Sequence, residues 1–353
     1  MTTGRLAATN QTVGTCASDP PPDPPRDHHW KRRLGLGLLS LCERMPAARS
    51  WLSSPGMRTK PAWFTDRVVE VPLPNRDALK LASFGHNYLS FQLFWRGLDY
   101  YEPITRMVSE ELLEPGDTFV DCGAQVGFYS LVLSLMKPGI SVIAFEPNPR
   151  NFQLLVANVV ANHLDNVACL PMALSDCVGT ARLYLASSDM SASLLPDFEQ
   201  ETHTTVEVPT TTIDAYLDTH HPKGHLVLKV DVEGAEEKFF AGAIRTISTY
   251  RPDIICEVAT PISQDAVAFL KDFGYGFYRI ADEGLVPSEA LTPNVRGDML
   301  FLNYLLSPRP PAELAQLFDR IRPRLGKINL RKTSKRVCAA HIERAERPLA
   351  SKR

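Results

Sequence analysis

From residue 118 onward the chain keeps one rhythm, in which short apolar runs alternate with stretches of helical period. That alternation restricts the fold more than any other feature of the sequence. Residues 118–121 read as a buried strand, 128–136 as a helix, 141–145 as a second strand, 151–162 as a second helix and 167–173 as a third strand. Two β-extensions at 181–186 and 205–212 follow, with a Ser-rich loop between them. The rhythm then resumes with a strand at 225–230, a helix at 235–250, a strand at 253–258, a helix at 264–273 and strands at 276–280 and 298–304. Apolar strands separated by helices specify a largely parallel sheet covered on both faces, a doubly wound α/β domain. No helix separates the final two strands, which are expected to pair antiparallel.

The regions outside this domain differ in composition. Residues 1–29 are rich in proline and poor in large apolar side chains, and read as disordered. Residues 30–66 open on a basic amphipathic pattern, expected to dock on the main domain or to lie on a membrane surface. Residues 67–110 form a lead-in, beginning with two alternating runs split at 74–76 as in a hairpin. The α/β domain then spans 111–306. The longest uncharged apolar run near the N-terminus, 34–42, has nine residues, against about 20 needed to span a bilayer.

The net charge of −2 hides an asymmetry, because residues 307–353 carry 13 Lys/Arg against 4 Asp/Glu. An acidic body with a basic tail argues against a nucleic-acid-binding core. The tail is read as a solvated, partly helical extension, with peripheral membrane contact as the alternative. Seven cysteines without a Cys-x-x-Cys pair point to free thiols in a reducing, cytoplasmic compartment and to no zinc site.

The chemistry concentrates at two strand ends. After the first strand come Asp121, Cys122, Gly123, Ala124, Gln125, Val126 and Gly127, opening a helix. In a doubly wound sheet this is the turn where ligands bind. Gly123 lets the backbone approach a ligand, Gly127 lets helix and strand pack closely, and Asp121 is expected to aim an acceptor into the crevice. Nineteen residues past Gly127, Glu146 closes the second strand, where a carboxylate can accept two ribose hydroxyls. A dinucleotide site would want glycine where Gln125 stands, and Asp121 would repel a diphosphate. No Tyr-x-x-x-Lys pair occurs. A cofactor with a cationic methionine part, S-adenosylmethionine, suits this acidic turn better than NAD(P).

At the fourth strand, Lys229 and Asp231 share one face and Glu233 lies just past the strand end. Charges at these places are costly unless they line a cleft or pair. Asp231 or Glu233 can orient an acceptor hydroxyl or take its proton, with Lys229 keeping Asp231 ionised; a purely structural ion network is the rival explanation. Asp231, Glu233 and Glu257 could also converge on a cation, but backbone hydrogen bonding explains three such carboxylates as well, and no metal is assigned. Glu236 is read as complementing a helix N-terminus. Tyr101 and Glu102 either contact the cofactor's methionine part or pack the lead-in helix. His220, His221 and His225 precede the fourth strand and are read as loop histidines at the end away from the crevice, while His203 lies in the Ser/Thr-rich insertion, a candidate lid.

These residues together resemble the FkbM family of S-adenosylmethionine-dependent methyltransferases, over roughly residues 101–258. The resemblance is carried by Tyr101 and Glu102, the 116–124 segment with Gly127, Phe145 to Asn148, and Leu228 to Glu236 followed by Gly242, Arg251 and Pro252. The spaced groups ending in Asp176 and Asp214 also match. One departure is Gln125, where the family usually has Asn. The resemblance implies a Rossmann-like class I methyltransferase fold, a doubly wound, mostly parallel seven-stranded sheet with an antiparallel last strand. It implies transfer most often to a hydroxyl oxygen, here of a sugar, glycan, lipid or secondary metabolite. Expected cofactor contacts are Asp121, Gly123, Ala124, Gln125, Gly127, Glu146, Asn148, Asp176 and Glu102. The rival classes are an NAD(P)-dependent oxidoreductase on the same sheet and a non-catalytic scaffold of this fold.

Overall fold

A computed structural model describes residues 68–74, 76–82, 88–185, 192–195, 204–296, 299–301 and 303–326. The expectations for 1–29, for the helix within 30–66 and for His203 lie outside the described residues.

The repeating unit of the sequence becomes a large mixed sheet. Its strands are β3 (Thr118–Cys122), β4 (Ser141–Phe145), β5 (Val167–Leu170), β10 (Leu226–Val230), β11 (Asp253–Glu257), β12 (Gly276–Ala281), β13 (Gly284–Ser288) and β16 (Asn303–Ser307), in the spatial order β13-β12-β16-β11-β10-β3-β4-β5. Strands β5, β4, β3, β10 and β11 run parallel, and β16 enters antiparallel between β11 and β12. The chain leaves β3 toward β4 and β5, then returns to β10 on the other side of β3. The topological switch point therefore lies between β3 and β10, where ligands bind in such sheets. The sheet gains an eighth strand over the seven expected, because β13 folds back on β12 as an edge hairpin.

Side-chain alternation along the central strands builds two cores. Phe119, Val142, Val227, Ile255 and Leu305 face one way, toward the helices α2 (Pro103–Leu112), α3 (Phe128–Met136) and α4 (Pro149–Ala161). Val120, Cys122, Leu228, Val230, Ile254 and Cys256 face the other way. They pack on α5 (Ile213–Leu217), α6 (Glu236–Ala241), α7 (Ile244–Tyr250) and α8 (Gln264–Asp272). Burial at every position of β3 and β10 explains why the sequence shows continuous apolar runs there instead of polar alternation.

Three features depart from the sequence reading. The run at 167–173 splits into β5 and β6 (Ala173–Leu174), and β6 joins a second, four-stranded sheet with β9 (Thr204–Thr211), β7 (Gly179–Leu185) and β8 (Ala192–Ser193), in the order β6-β9-β7-β8. The helix expected at 235–250 breaks into α6 and α7, and Asp214 caps the start of α7, accepting from the amides of Arg245 and Thr246 at 2.9 and 2.7 Å. Residues 307–326 of the expected solvated tail instead contain a docked helix, α9 (Pro311–Leu325), which buries Leu314, Leu317, Phe318, Ile321 and Leu325. Its position against α2 is fixed by ion pairs of Arg324 with Glu110 and Arg320 with Glu111, at 2.5 and 2.8 Å.

The lead-in pairs β1 (Val68–Leu73) with β2 (Arg76–Ala82) as an antiparallel hairpin. The hairpin is tied to α4 by Asn158 and Asn162, whose side-chain oxygens accept from the amides of Ala82 and Lys80. An α-helix, α1 (Tyr88–Arg96), follows. Among the described residues no helix is long and apolar enough to cross a membrane, and Cys122, Cys169, Cys177 and Cys256 are free thiols.

Candidate active site

The β3–α3 turn wraps tightly because its glycines are placed where side chains cannot go. A Cβ on Gly123 (φ +88°) would fall 2.0 Å from the carbonyl oxygen of Asp231, so the two ligand-facing turns touch through bare backbone. A Cβ on Gly127 would meet the Leu155 side chain of α4 at 2.5 Å, so the close packing expected against the strand is made against a neighbouring helix. Between them Gln125 adopts a left-handed φ of 52°. Asparagine enters that region more readily than most residues, which gives a physical reason for the Asn usual at this position.

Glu146 organises this turn. The buried carboxylate accepts the Gln125 amide on Oε2 at 2.7 Å and the Asn148 amide on Oε1 at 2.8 Å. Burial pushes its pKa up to about 7, although those two amide bonds pull the other way. Asn148 acts as the N-cap of α4, its side chain accepting from the Arg150 amide at 3.1 Å. Asp121 does not simply aim into the crevice. Its Oδ2 accepts from the amide and hydroxyl of Ser130 on α3, at 3.0 and 2.6 Å, and burial raises the carboxyl to about 6. Asp176, also expected at the cofactor, stays exposed beyond β6, accepting from the Ser175 hydroxyl at 2.9 Å with Lys238 as its nearby cation. It is not drawn into the cluster formed by the other groups.

That cluster surrounds Lys229. Lys229 and Asp121 are register partners on β10 and β3, and the Lys229 ammonium is almost fully buried at 1% exposure. It lies 3.3 Å from Asp231 Oδ2 and 5.3 Å from the centre of the Tyr129 ring. Burial alone would lower its pKa, yet the charges of Asp231, Glu102, Glu257 and Asp121 outweigh that and raise it. Glu257 ends β11 on the same face. Its carboxyl is raised well above the usual range by burial and by the neighbouring charges of Asp231 and Glu102. Glu233, at φ 49° just past β10, adds a further negative charge to this side. Among the described residues no group of three or more His, Cys, Asp or Glu could hold a metal ion, and Asp231, Glu233 and Glu257 form no such set.

Glu102 (φ 40°) closes the other wall as the N-cap of α2, accepting from the Tyr129 hydroxyl at 2.5 Å and from Asn303 Nδ2 at 3.2 Å. Tyr101 stands edge-on to Phe128 at 5.2 Å, and burial together with the Glu102 charge raises its hydroxyl well above the usual tyrosine value. Both lead-in residues named from the sequence therefore reach the crevice, and they pack there as well. Sequence reasoning missed Tyr129, Ser130 and Asn303. Tyr129 and Ser130 sit inside an apolar helix that reads as core, and Asn303 starts a strand whose register nothing in the sequence announces. Glu236, placed correctly at a helix start, is more committed than expected: its Oε1 accepts the Gly234 amide at 2.9 Å, while Oε2 is buried without a protein partner. The three histidines stand at the opposite ends of the strands. His220 stacks on Tyr216, His221 lies near Tyr250, and His225 Nε2 meets the buried Asp253 at 2.8 Å.

With this geometry in view, comparison with known proteins points the same way. Residues 121–277 match the profile of the methyltransferase FkbM domain. Over this region the chain is similar to a methyltransferase FkbM domain. It is 26% identical over 197 residues to methyltransferase sdnD of Sordaria araneosa, covering 47% of this chain and 76% of that protein. It is 27% identical over 209 residues to the 31-O-demethyl-FK506 methyltransferase FkbM of Streptomyces tacrolimicus, covering 48% and 76%. Among solved structures, the methyltransferase FkbM from Methylobacillus flagellatus overlaps 63% of this chain and 55% of its own, at 16% identity and a TM-score of 0.35. A precorrin-6y C5,15-methyltransferase from Geobacter metallireducens overlaps 58% and 88%, at 14% identity and a TM-score of 0.33. Those overlaps are partial, and the similarity rests on the sequence matches. The cofactor of the FkbM domain is S-adenosylmethionine, and the residues present fit it. Beyond the Gln125 and Asn148 amides and the Asn151 side chain, the Glu146 carboxylate keeps acceptor capacity for the ribose, and Glu102, Asp231, Glu233 and Glu257 beside Lys229 suit a ligand bearing sulfonium and ammonium charges.

Proposed function

We propose that the protein is an S-adenosylmethionine-dependent O-methyltransferase acting on a hydroxyl of an uncharged sugar, glycan, lipid or secondary metabolite. The observation that carries this reading is the juxtaposition of two turns in backbone contact, one built around Glu146 and the other bearing Asp231 and Glu233. Bound S-adenosylmethionine supplies a methyl group on a sulfonium, open to in-line displacement by an acceptor oxygen. Little covalent work is left to the protein, so its contribution is alignment and exclusion of water.

In this account Glu146 holds the ribose, and the bare backbone at Gly123, Ala124 and Gln125 lets the ligand approach the turn. Asp121 and Gly127 shape that turn from behind, and Asn148 fixes the helix start beside Glu146. Glu102 and Asp231 face the cationic methionine part from two sides. Lys229 pairs with Asp231 at 3.3 Å, and its own charge is held by the surrounding carboxylates. Asp231 or Glu233 orients the acceptor hydroxyl and takes its proton as the oxygen–methyl bond forms. The Streptomyces relative, named a 31-O-demethyl-FK506 methyltransferase, supports oxygen as the acceptor atom.

The test is transfer from tritium-methyl-labelled S-adenosylmethionine to a panel of polyols, macrolides and glycolipids, with an amine panel alongside. Label in a methyl ether, lost with Asp231→Asn, supports the proposal. Label recovered only in methylated amines overturns the assignment to oxygen.

A further inference from the structure

The turn that carries Asp231 and Glu233 is wound in a way ordinary residues resist. Glu233 has φ 49° and Gly234 φ 93°, two consecutive residues in the left-handed region. A non-glycine residue is strained there and persists only where its surroundings fix it. Here they do so from both sides. Glu236, 1% exposed at the start of α6, accepts the Gly234 amide at 2.9 Å. From the other side Ser193 of β8, 3% exposed, donates its hydroxyl to the Glu233 carbonyl oxygen at 2.6 Å, across 40 residues of sequence.

The Ser193 bond has a defined direction. A serine hydroxyl carries one proton, and Ser193 Oγ also accepts the Leu195 amide at 3.1 Å, so the proton is left for Glu233. Strand pairing does not call for this hydroxyl, because β8 joins β7 through backbone at Tyr184 and Leu185. Loss of this hydrogen bond removes one of the two contacts that hold Glu233 and Gly234 in the left-handed region against their ordinary backbone preference.

We propose that Ser193 is a positioning residue for methyl transfer, holding the 231–234 turn in the form that presents Asp231 and Glu233 to the crevice. The second sheet is then part of the active site's framework, and the Ser-rich insertion reaches the reacting end of the main sheet through one hydroxyl. The inference rests on the reading of Asp231 and Glu233 as acceptor-side groups.

The test compares wild type, Ser193→Ala and Ser193→Thr by amide hydrogen exchange of residues 231–236 in ligand-free protein, with calorimetric titration of S-adenosylhomocysteine beside it. Exchange at Gly234 to Glu236 should rise at least tenfold in the alanine variant and return to within threefold of wild type in the threonine variant. S-adenosylhomocysteine should still bind all three through the untouched Glu146 turn, the alanine variant more weakly because Asp231 faces the methionine part. If the alanine variant does not fold, Ser193→Cys, a weaker donor of similar size, should show intermediate exchange. Unchanged exchange in the alanine or cysteine variant, or an alanine effect that threonine does not rescue, overturns the proposal. Wild type that binds no S-adenosylhomocysteine would overturn the methyltransferase reading instead, and the ligand-free exchange comparison would still decide the role of Ser193.

Discussion

Glu146→Gln probes the cofactor turn most sharply, because the structure fixes both what the carboxylate does alone and what a ligand would add. In the free protein its two oxygens hold the Gln125 and Asn148 amides, and burial raises its pKa from 4.5 to about 7. A carboxyl whose folded pKa lies above its unfolded value gives a stability contribution that is full below the unfolded pKa. That contribution is lost as pH rises through the folded one. The contribution lost between about pH 4.5 and 7 is on the order of 3 kcal/mol, from about 1.4 kcal/mol per pKa unit. Two ribose hydroxyls donate better to the ionised form. S-adenosylhomocysteine affinity should therefore rise by up to about tenfold per pH unit below pH 7 and level off above it. Glutamine sets an NH2 against one backbone amide and removes the charge, so affinity at pH 8 should fall by about 2–4 kcal/mol, or 30- to 1000-fold, given about 1.5–3 kcal/mol per hydrogen bond to a charged group. Asp121, near 6, and Glu236, near 7, titrate in the same window, so the diagnostic is the difference in slope between wild type and variant. Calorimetric titration from pH 5.5 to 8.5 reads both. Equal slopes, or a variant Kd within threefold of wild type at pH 8, would refute the assignment of Glu146 to the ribose.

Other substitutions test the frame around the site. Gly123→Ala should cost about 3 kcal/mol in urea unfolding and abolish S-adenosylhomocysteine binding, because the new Cβ meets the Asp231 carbonyl at 2.0 Å in a left-handed backbone; wild-type stability would mean that the two turns are not in contact. Lys229→Met should destabilise by about 3 kcal/mol, since it leaves Asp231 and Glu257 without their cation, and adding Asp231→Asn should recover part of the loss. A double variant no more stable than the single one would argue against the pair. Phe318→Ala in α9 should cost about 3 kcal/mol, as for a fully buried ring; a cost under 0.5 kcal/mol would return this helix to the solvated tail read from the sequence.

The parts of the fold legible in the sequence are those written as local periodicity. β3, α3, β4, β10 and β11 each occupy a run whose apolar character comes from burial on both faces, and their boundaries agree with the reading to within a residue or two. The second sheet was visible as strands but not as a sheet. Its pairing of Ala173 with Thr210 joins segments almost 40 residues apart, and no local pattern encodes that register. Helix α9 was hidden by charge. Its arginines answer Glu110 and Glu111 across the α2 contact, so a composition that reads as solvated is an interface with half its partners elsewhere in the chain. At the site, the motif residues Asp121, Glu146, Lys229 and Asp231 lie at the ends of neighbouring strands as read, whereas Asp176 stays apart from them. The supporting groups Ser130, Tyr129, Asn303 and Ser193 were not, because each is an ordinary residue made consequential by what lies across from it in space. Asp121 illustrates the limit: its position was read correctly, but its direction depends on a hydroxyl nine residues further along.

The central claim is that the crevice between β3 and β10 takes S-adenosylmethionine and not a dinucleotide. It is tested most directly by calorimetric titration of folded wild-type protein with S-adenosylhomocysteine and, separately, NADH. Saturable one-to-one binding of S-adenosylhomocysteine at micromolar concentration, with no heat from NADH, is the expected result. Binding of NADH with no response to S-adenosylhomocysteine would contradict it.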